Sequence, residues 1–233
     1  MNRDQELANL LSKFKIKKCF YSPFTQRLIL KTNNVKTIQG LNYFTGNHPI
    51  IRSHSKSSSR PVDFGHKVWA SSLVFIDFLS NNNFNLKDKN ILEVGCGWGI
   101  LGLYLAKKLN CSVLLTDKDK KVLPLVHSHA ELNNLEVSTA AASFAKISED
   151  QLKDVNTIVG VEVCYSEEAA KDLSQLFARA CKLDVKQIFI VDPGRPDFFG
   201  IVCKNTYGFN KKIYDLPGTI NGKITQVLHL KKD

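Results

Sequence analysis

The sequence predicts an α/β fold: a mostly parallel sheet with helices on both faces. Three observations predict it. From about residue 69 onward, short apolar strands alternate with amphipathic helices. One of those strands runs through a glycine-rich turn straight into a helix. The chain then closes on two strand-like runs joined by turn residues, not on another strand-helix unit. A length of 233 residues fits one domain with a sizeable core plus an extension.

The elements follow in order. Residues 19–21, 28–30 and 35–38 are short strand candidates, separated by Ser22-Pro23 and Asn33-Asn34. Residues 42–62 read as loop-rich, and the polar run 53–61 is expected to be mobile. A helix is predicted over 69–79 from Leu73, Phe75-Ile76 and Phe78-Leu79. Residues 90–94 form an apolar strand that carries one acid, Glu93. From Ile100, Leu101, Leu103-Tyr104-Leu105 and Leu109 give a helical face. Further strands are predicted at 113–117, 137–142, 156–161 and 187–191. Helices are predicted over 119–133, with Pro124 in the first turns, and over 167–182. Residues 211–216 and 224–230 form the closing antiparallel pair around Pro217-Gly218 and Asn221-Gly222.

Charge divides the chain in two. Residues 1–67 hold 12 Lys+Arg against 3 Asp+Glu, and the remainder holds 20 against 19. A basic N-terminal extension, residues 1–62, thus precedes a near-neutral body, residues 63–233. The basic region is either a docking surface for an acidic protein or RNA, or a solvated extension. No aromatic-basic motif accompanies it, so nucleic acid is not the favoured partner. No apolar run reaches the ~18 residues of a membrane span. Residues 1–18 lack a signal-peptide core, and Asp4, Glu6 and a shortage of arginine argue against a mitochondrial presequence. Six scattered cysteines without a Cys-x-x-Cys pair fit a reducing, cytoplasmic setting without structural zinc. His127 and His129 face different sides of a helix, so no metal site is expected. The sequence specifies no oligomeric state.

Two cofactors compete for the glycine turn. Gly97-x-Gly99-x-x-Gly102, with Asp117 about 20 residues on, matches the dinucleotide fingerprint and leaves an NAD-linked oxidoreductase open. Glu93 argues differently. A carboxylate at the strand end would repel a diphosphate, but it suits a ligand carrying an ammonium and a sulfonium. Glu93-x-Gly95-x-Gly97-x-Gly99 resembles the first motif of the class I S-adenosylmethionine (SAM) methyltransferases. The resemblance covers roughly residue 63 to the end. It implies a Rossmann-like, seven-stranded, mostly parallel sheet with a C-terminal antiparallel pair. It further implies that Gly95, Gly97 and Gly99 bring backbone against the methionine and ribose, that Glu93 holds the amino end, and that Asp117 accepts both ribose hydroxyls. Ser143 and Phe144, after the third strand of the body, would meet the adenine. Many members carry an acid there, and this chain departs from them. Lys118 is a candidate flank for the adenine.

Two further pieces narrow the resemblance. Glu162-x-x-Tyr165 after the fourth strand and Gly65-x-x-x-Trp69 before the first resemble the seven-β-strand protein-lysine methyltransferases, methyltransferase family 16. By position, Glu162 and Tyr165 would lie beside the transferred methyl group, and Trp69 would pack on the cofactor near it. Methyl transfer is an in-line displacement for which SAM supplies the activation, so the protein mainly aligns the nucleophile and excludes water. Glu162 is assigned to substrate placement. Aromatic faces suit a methylated ammonium. Arg195, in Asp192-Pro193-Gly194-Arg195, is a candidate contact for an acidic substrate. The resemblance therefore implies methyl transfer to a protein side chain, foremost the lysine ε-amine. An RNA base or small amine as acceptor, and a catalytically silent binding module, stand as alternatives.

Overall fold

The computed structural model describes residues 19–21, 28–30, 34–56, 65, 67–220 and 223–232. Residues 1–18 and 57–61, on which the presequence and part of the mobile-run expectation fall, lie outside the described residues. The elements run β1 (Cys19–Tyr21), β2 (Leu28–Leu30), β3 (Val35–Ile38), β4 (Leu41–Phe44), α1 (Pro49–Lys56), α2 (Ala70–Asn81), β5 (Asn90–Val94) and α3 (Ile100–Leu109). They continue as β6 (Ser112–Asp117), α4 (Leu123–Leu132), β7 (Ser138–Ala141), α5 (Glu149–Leu152), β8 (Thr157–Val161), α6 (Glu167–Lys182), β9 (Gln187–Asp192), β10 (Asn210–Ile220) and β11 (Lys223–Lys231).

Seven strands form the main sheet in the order β10-β11-β9-β8-β5-β6-β7. β5 to β9 are mutually parallel, and β11 runs antiparallel to both β9 and β10. This is the predicted architecture. The central strand β5 buries Ile91, Leu92 and Val94, because a parallel strand covered on both faces has no solvent side. One face is covered by α2, α3 and α4, whose Phe75, Leu101 and Val126 share a core with Leu115. The other is covered by α6, whose Leu173, Leu176 and Phe177 meet Ile158, Ile190 and Leu228. α6 keeps its predicted bounds because its ends are chemically marked. Ser166 Oγ accepts from Ala169 N–H, Glu167 and Glu168 open the first turn, and Arg179 and Lys182 close the last.

The helix expected from residue 119 begins only at Leu123. Asp117 and Asp119 accept hydrogen bonds from the N–H groups of Asp119 and Lys121, so two side-chain turns use the backbone donors a helix would need. Pro124 then sits at the helix start, where its missing N–H costs nothing.

The larger difference lies in residues 42–62. β4 pairs with β3, and α1 follows it, where the sequence reads as loop. Leu41, Tyr43, Phe44 and Ile51 are buried in the same core as α2 and α3, so residues 34–56 pack onto the body. Asn133 at the end of α4 fastens them. Its Oδ1 accepts from Asn42 N–H and Lys107 Nζ, each at 2.9 Å. Its Nδ2 donates to the carbonyls of Asn42 (2.7 Å) and His129 (2.8 Å). Replacing Asn133 with Ala strands the Asn42 N–H and carbonyl. It is expected to cost about 2 kcal/mol, read as a lowered urea midpoint at unchanged m-value.

Candidate active site at the carboxyl ends of the strands

The strand order reverses between β5 and β8, which sends the following helices to opposite faces and opens a crevice at the strand tips. A cavity of about 280 Å³ occupies it. Gly95, Gly97, Trp98, Glu93, Asp117 and Ser143 form the wall beyond β5, β6 and β7, and Phe144 sits among them. Glu162 and Tyr165 line the cavity from beyond β8, and Trp69 from before α2. The residues predicted to hold the cofactor or flank the methyl group thus meet in one place, with one exception.

That exception is Gly99, which does not line the cavity. A Cβ there would lie 2.8 Å from Leu115 Cδ2 and 2.9 Å from Val126 Cγ1, so this glycine lets α3 pack on the sheet. Gly97 is the opposite case. Its φ is +52°, it lies on the cavity wall, and a Cβ would meet nothing within 4 Å. The space it leaves belongs to the cavity.

Glu93 is 4% exposed and accepts Gly102 N–H at 2.9 Å, satisfying a donor in the first turn of α3. Burial pushes its carboxyl up to about 8, the Gly102 bond opposes this, and Asp117 adds to it. Among the described residues no salt bridge neutralises Glu93. A buried carboxylate with one hydrogen bond, lining a cavity, fits a ligand that brings an ammonium. Asp117 accepts Gly97 N–H (3.0 Å) and Asp119 N–H (2.9 Å), and burial raises its carboxyl. One lone pair on each oxygen remains for ligand hydroxyls.

Ser143 and Phe144 form the turn after β7, and Arg179 of α6 holds that turn by donating to the Phe144 carbonyl at 2.6 Å. Trp98 donates its indole N–H to the Gly65 carbonyl at 3.1 Å, tying the glycine turn to the segment before α2. Sequence reading misses both contacts, since neither pairing has a spacing to reveal it. The Lys67 ammonium lies 4.0 Å from the Trp69 ring centroid. Lys118, a candidate flank for the adenine, lines the cavity and lies over the ring of Tyr165 at 5.0 Å.

Glu162 has a left-handed backbone, φ +57°, which costs a residue with a side chain on the order of 1 kcal/mol. Its N–H donates to the Val191 carbonyl at 2.7 Å. Its carboxylate accepts from Ser71 Oγ at 2.5 Å and from Arg195 Nη2 at 2.7 Å. The sequence gives no sign of Ser71. Arg195, expected to reach an acidic substrate, instead bridges Glu162 to the fully buried Asp192, with Nη1 2.7 Å from Asp192 Oδ2. Burial of Asp192 supplies the reason: its carboxyl requires a partner, and Arg195 lies three residues on.

Fold and site together define the class I SAM-dependent methyltransferases. Nothing in the comparisons with known proteins supports the NAD-linked alternative. A family model described as lysine methyltransferase matches residues 53–196, more than half of the chain, and the chain belongs to that family. It is similar to the protein N-lysine methyltransferase METTL21A of Xenopus tropicalis, 30% identical over 114 residues, 47% of this chain and 52% of that protein. It is also similar to the histone-arginine methyltransferase METTL23 of Xenopus laevis, 29% identical over 115 residues, 47% of this chain and 49% of that protein. The chain spans about half the length of these two curated relatives. In fold it matches the Pyrococcus abyssi tRNA (uracil-54, C5)-methyltransferase in complex with S-adenosylhomocysteine, with a TM-score of 0.61 at 18% identity. That match covers 84% of this chain and 43% of the other. A methyltransferase from Pyrococcus furiosus matches with a TM-score of 0.57 at 16% identity, covering 81% and 100%.

The two glycines make separable predictions. Gly97→Val is expected to abolish S-adenosylhomocysteine binding in calorimetry while the fold survives. Gly99→Ala is expected to lower the melting temperature by several degrees, because Leu115 and Val126 must give way. A third prediction concerns Glu93. At pH 7 its carboxyl is mostly protonated, and a bound ammonium favours the ionised form. S-adenosylhomocysteine binding should therefore release up to one proton, seen as a binding enthalpy that varies with the buffer's ionisation heat. Glu93→Gln should lose that dependence.

Proposed function

We propose that this protein transfers a methyl group from SAM to the ε-amine of a lysine in a protein substrate. The observation that carries the reading is that Glu162 and Tyr165, from beyond β8, line the same cavity as Gly97 and Asp117, from beyond β5 and β6. Bound there, SAM supplies an activated methyl on a sulfonium. Glu93 holds its ammonium, Asp117 its ribose hydroxyls, and the Ser143-Phe144 turn the far end of the nucleoside.

The chain's own residues handle the acceptor. Trp69 and Tyr165 are apolar walls that orient a long aliphatic amine and keep water from it. A lysine ammonium, with a reference pKa near 10.4, has no lone pair until it loses a proton, and burial between these rings favours the neutral amine. Glu162 accepts a hydrogen bond from the entering nitrogen and sets its direction. The two relatives, one a protein N-lysine and one a histone-arginine methyltransferase, support a protein side-chain nitrogen as acceptor. The basic N-terminal region supports an acidic partner surface.

The test is incubation of the chain with labelled SAM and fractionated cell lysate, followed by mass spectrometry of the labelled species. One or a few proteins methylated on lysine are expected. Glu162→Ala should lower transfer by about 100-fold with S-adenosylhomocysteine still bound, and Asp117→Ala should lose cofactor binding. Label confined to arginine, nucleic acid or a small amine overturns the lysine assignment.

A further inference from the structure

Glu162 has little freedom of its own. Its side chain is 7% exposed, and each carboxylate oxygen already accepts one hydrogen bond, from Ser71 at the start of α2 and from Arg195 after β9. Arg195 is fixed in turn. Its Nη1 and its backbone N–H each reach an oxygen of Asp192 at 2.7 Å, and Asp192 is 0% exposed. The start of α2 and the turn after β9 thus converge on one residue whose backbone is held in the left-handed region at the cavity wall. A surface ion pair would contribute little to either orientation or charge. This one is largely withdrawn from water, so both effects are expected to be large.

We infer that Arg195, with Ser71, is a positioning residue for the acceptor amine: its guanidinium ties Glu162 to Asp192, aims the carboxylate across the cavity and offsets its charge beside the reacting nitrogen. The inference rests on the reading of the cavity as a methyl-transfer site. One lone pair on each Glu162 oxygen stays available, so the carboxylate still accepts from an amine N–H. An uncompensated carboxylate would hold the acceptor as ammonium, the form that cannot attack. The adjacent guanidinium removes most of that preference and leaves the hydrogen-bond acceptor in place. The other charged or titratable groups on the cavity wall are Lys67, Glu93, Cys96, Asp117, Lys118, Asp119, Tyr165, Glu168 and Asp172, with Cys164, Asp197 and Cys203 near Asp192 and Arg195. All of them persist in the variants below, so the difference between variants reports the Arg195 charge.

The experiment measures the pH dependence of methyl transfer under limiting acceptor, with the labelled lysate fraction as acceptor. Arg195→Lys, which keeps the charge, should retain the wild-type acid limb at reduced rate. Arg195→Met should move that limb up by about one pH unit and slow transfer at pH 7 by about tenfold. S-adenosylhomocysteine affinity should stay within about twofold of the wild type, since Arg195 does not line the cofactor wall. Arg195→Met leaves Asp192 buried without its partner, so the double variant D192N/R195M is measured beside it and should shift in the same direction. Ser71→Ala should raise the acceptor KM and leave the acid limb in place. An acid limb in R195M and in the double variant that superimposes on the wild type overturns the inference and leaves the proposed function standing. No transfer by the wild type at any pH overturns both.

Discussion

The reversal of strand order between β5 and β8 constrains everything that follows. Two parallel neighbours share a ladder from Ile91↔Thr157 to Val94↔Gly160, then part, because α3 covers one face of the sheet and α6 the other. The floor is rigid: Leu92, Val94, Ile158 and Val159 are each fully buried. The walls are turns, and turns can carry chemistry without disturbing the core beneath them. A crevice of this kind follows from handed crossover connections alone. Its contents are decided by the few residues at the tips.

Four carboxylates stand at or just beyond those tips, and each is compensated differently. Asp117 spends backbone donors from its own turn, Gly97 and Asp119 N–H. Asp192 has a guanidinium three residues away. Glu162 shares that guanidinium and adds a hydroxyl from α2. Glu93 alone has a single amide and a carboxyl raised to about 8. Incomplete compensation marks where a cationic ligand belongs, and complete compensation marks a group whose work is geometric. Two acids that look alike in sequence, Glu93 and Glu162, thereby take different parts.

The parallel sheet and the strand-turn-helix unit were legible because each is local, whereas Glu162-x-x-Tyr165 stood out only through the resemblance to the lysine methyltransferases. Alternation and short spacings survive in the order of the letters. β4 and α1 were not legible, because Leu41-Asn42-Tyr43-Phe44 is a strand by virtue of what it packs against, across a sequence separation of about 90 residues to Asn133. Ser71 and Arg179 were hidden for the same reason: their partners, Glu162 and the Phe144 carbonyl, are 91 and 35 residues away. Gly99 shows a subtler limit. It shares spacing and positive φ with Gly97, and only the neighbours of the absent Cβ separate a glycine that makes room for ligand from one that makes room for a helix.

The N-terminal hairpin and the glycine turn are joined through one imidazole. His129 is fully buried, its ring stacks at 5.6 Å on Trp98, and Trp98 lies between Gly97 and Gly99. Its Nδ1 donates to the Leu125 carbonyl at 2.7 Å, and its Nε2 accepts Phe44 N–H of β4 at 3.2 Å. That pattern requires the neutral ring, and burial pushes its pKa down to about 4. The unfolded chain takes up this proton near 6.5, so the contribution of His129 is present above that pH and declines as pH falls toward 4. Glu93, on the other flank of the turn, has the opposite sign. Its folded-state value near 8 makes its contribution full below about 4.5, and it declines as pH rises through 8. Between about 6.5 and 8 the hairpin contact is therefore intact while the carboxyl is under growing strain to stay neutral. An arriving ammonium relieves that strain in the range where the hairpin already holds the turn in place.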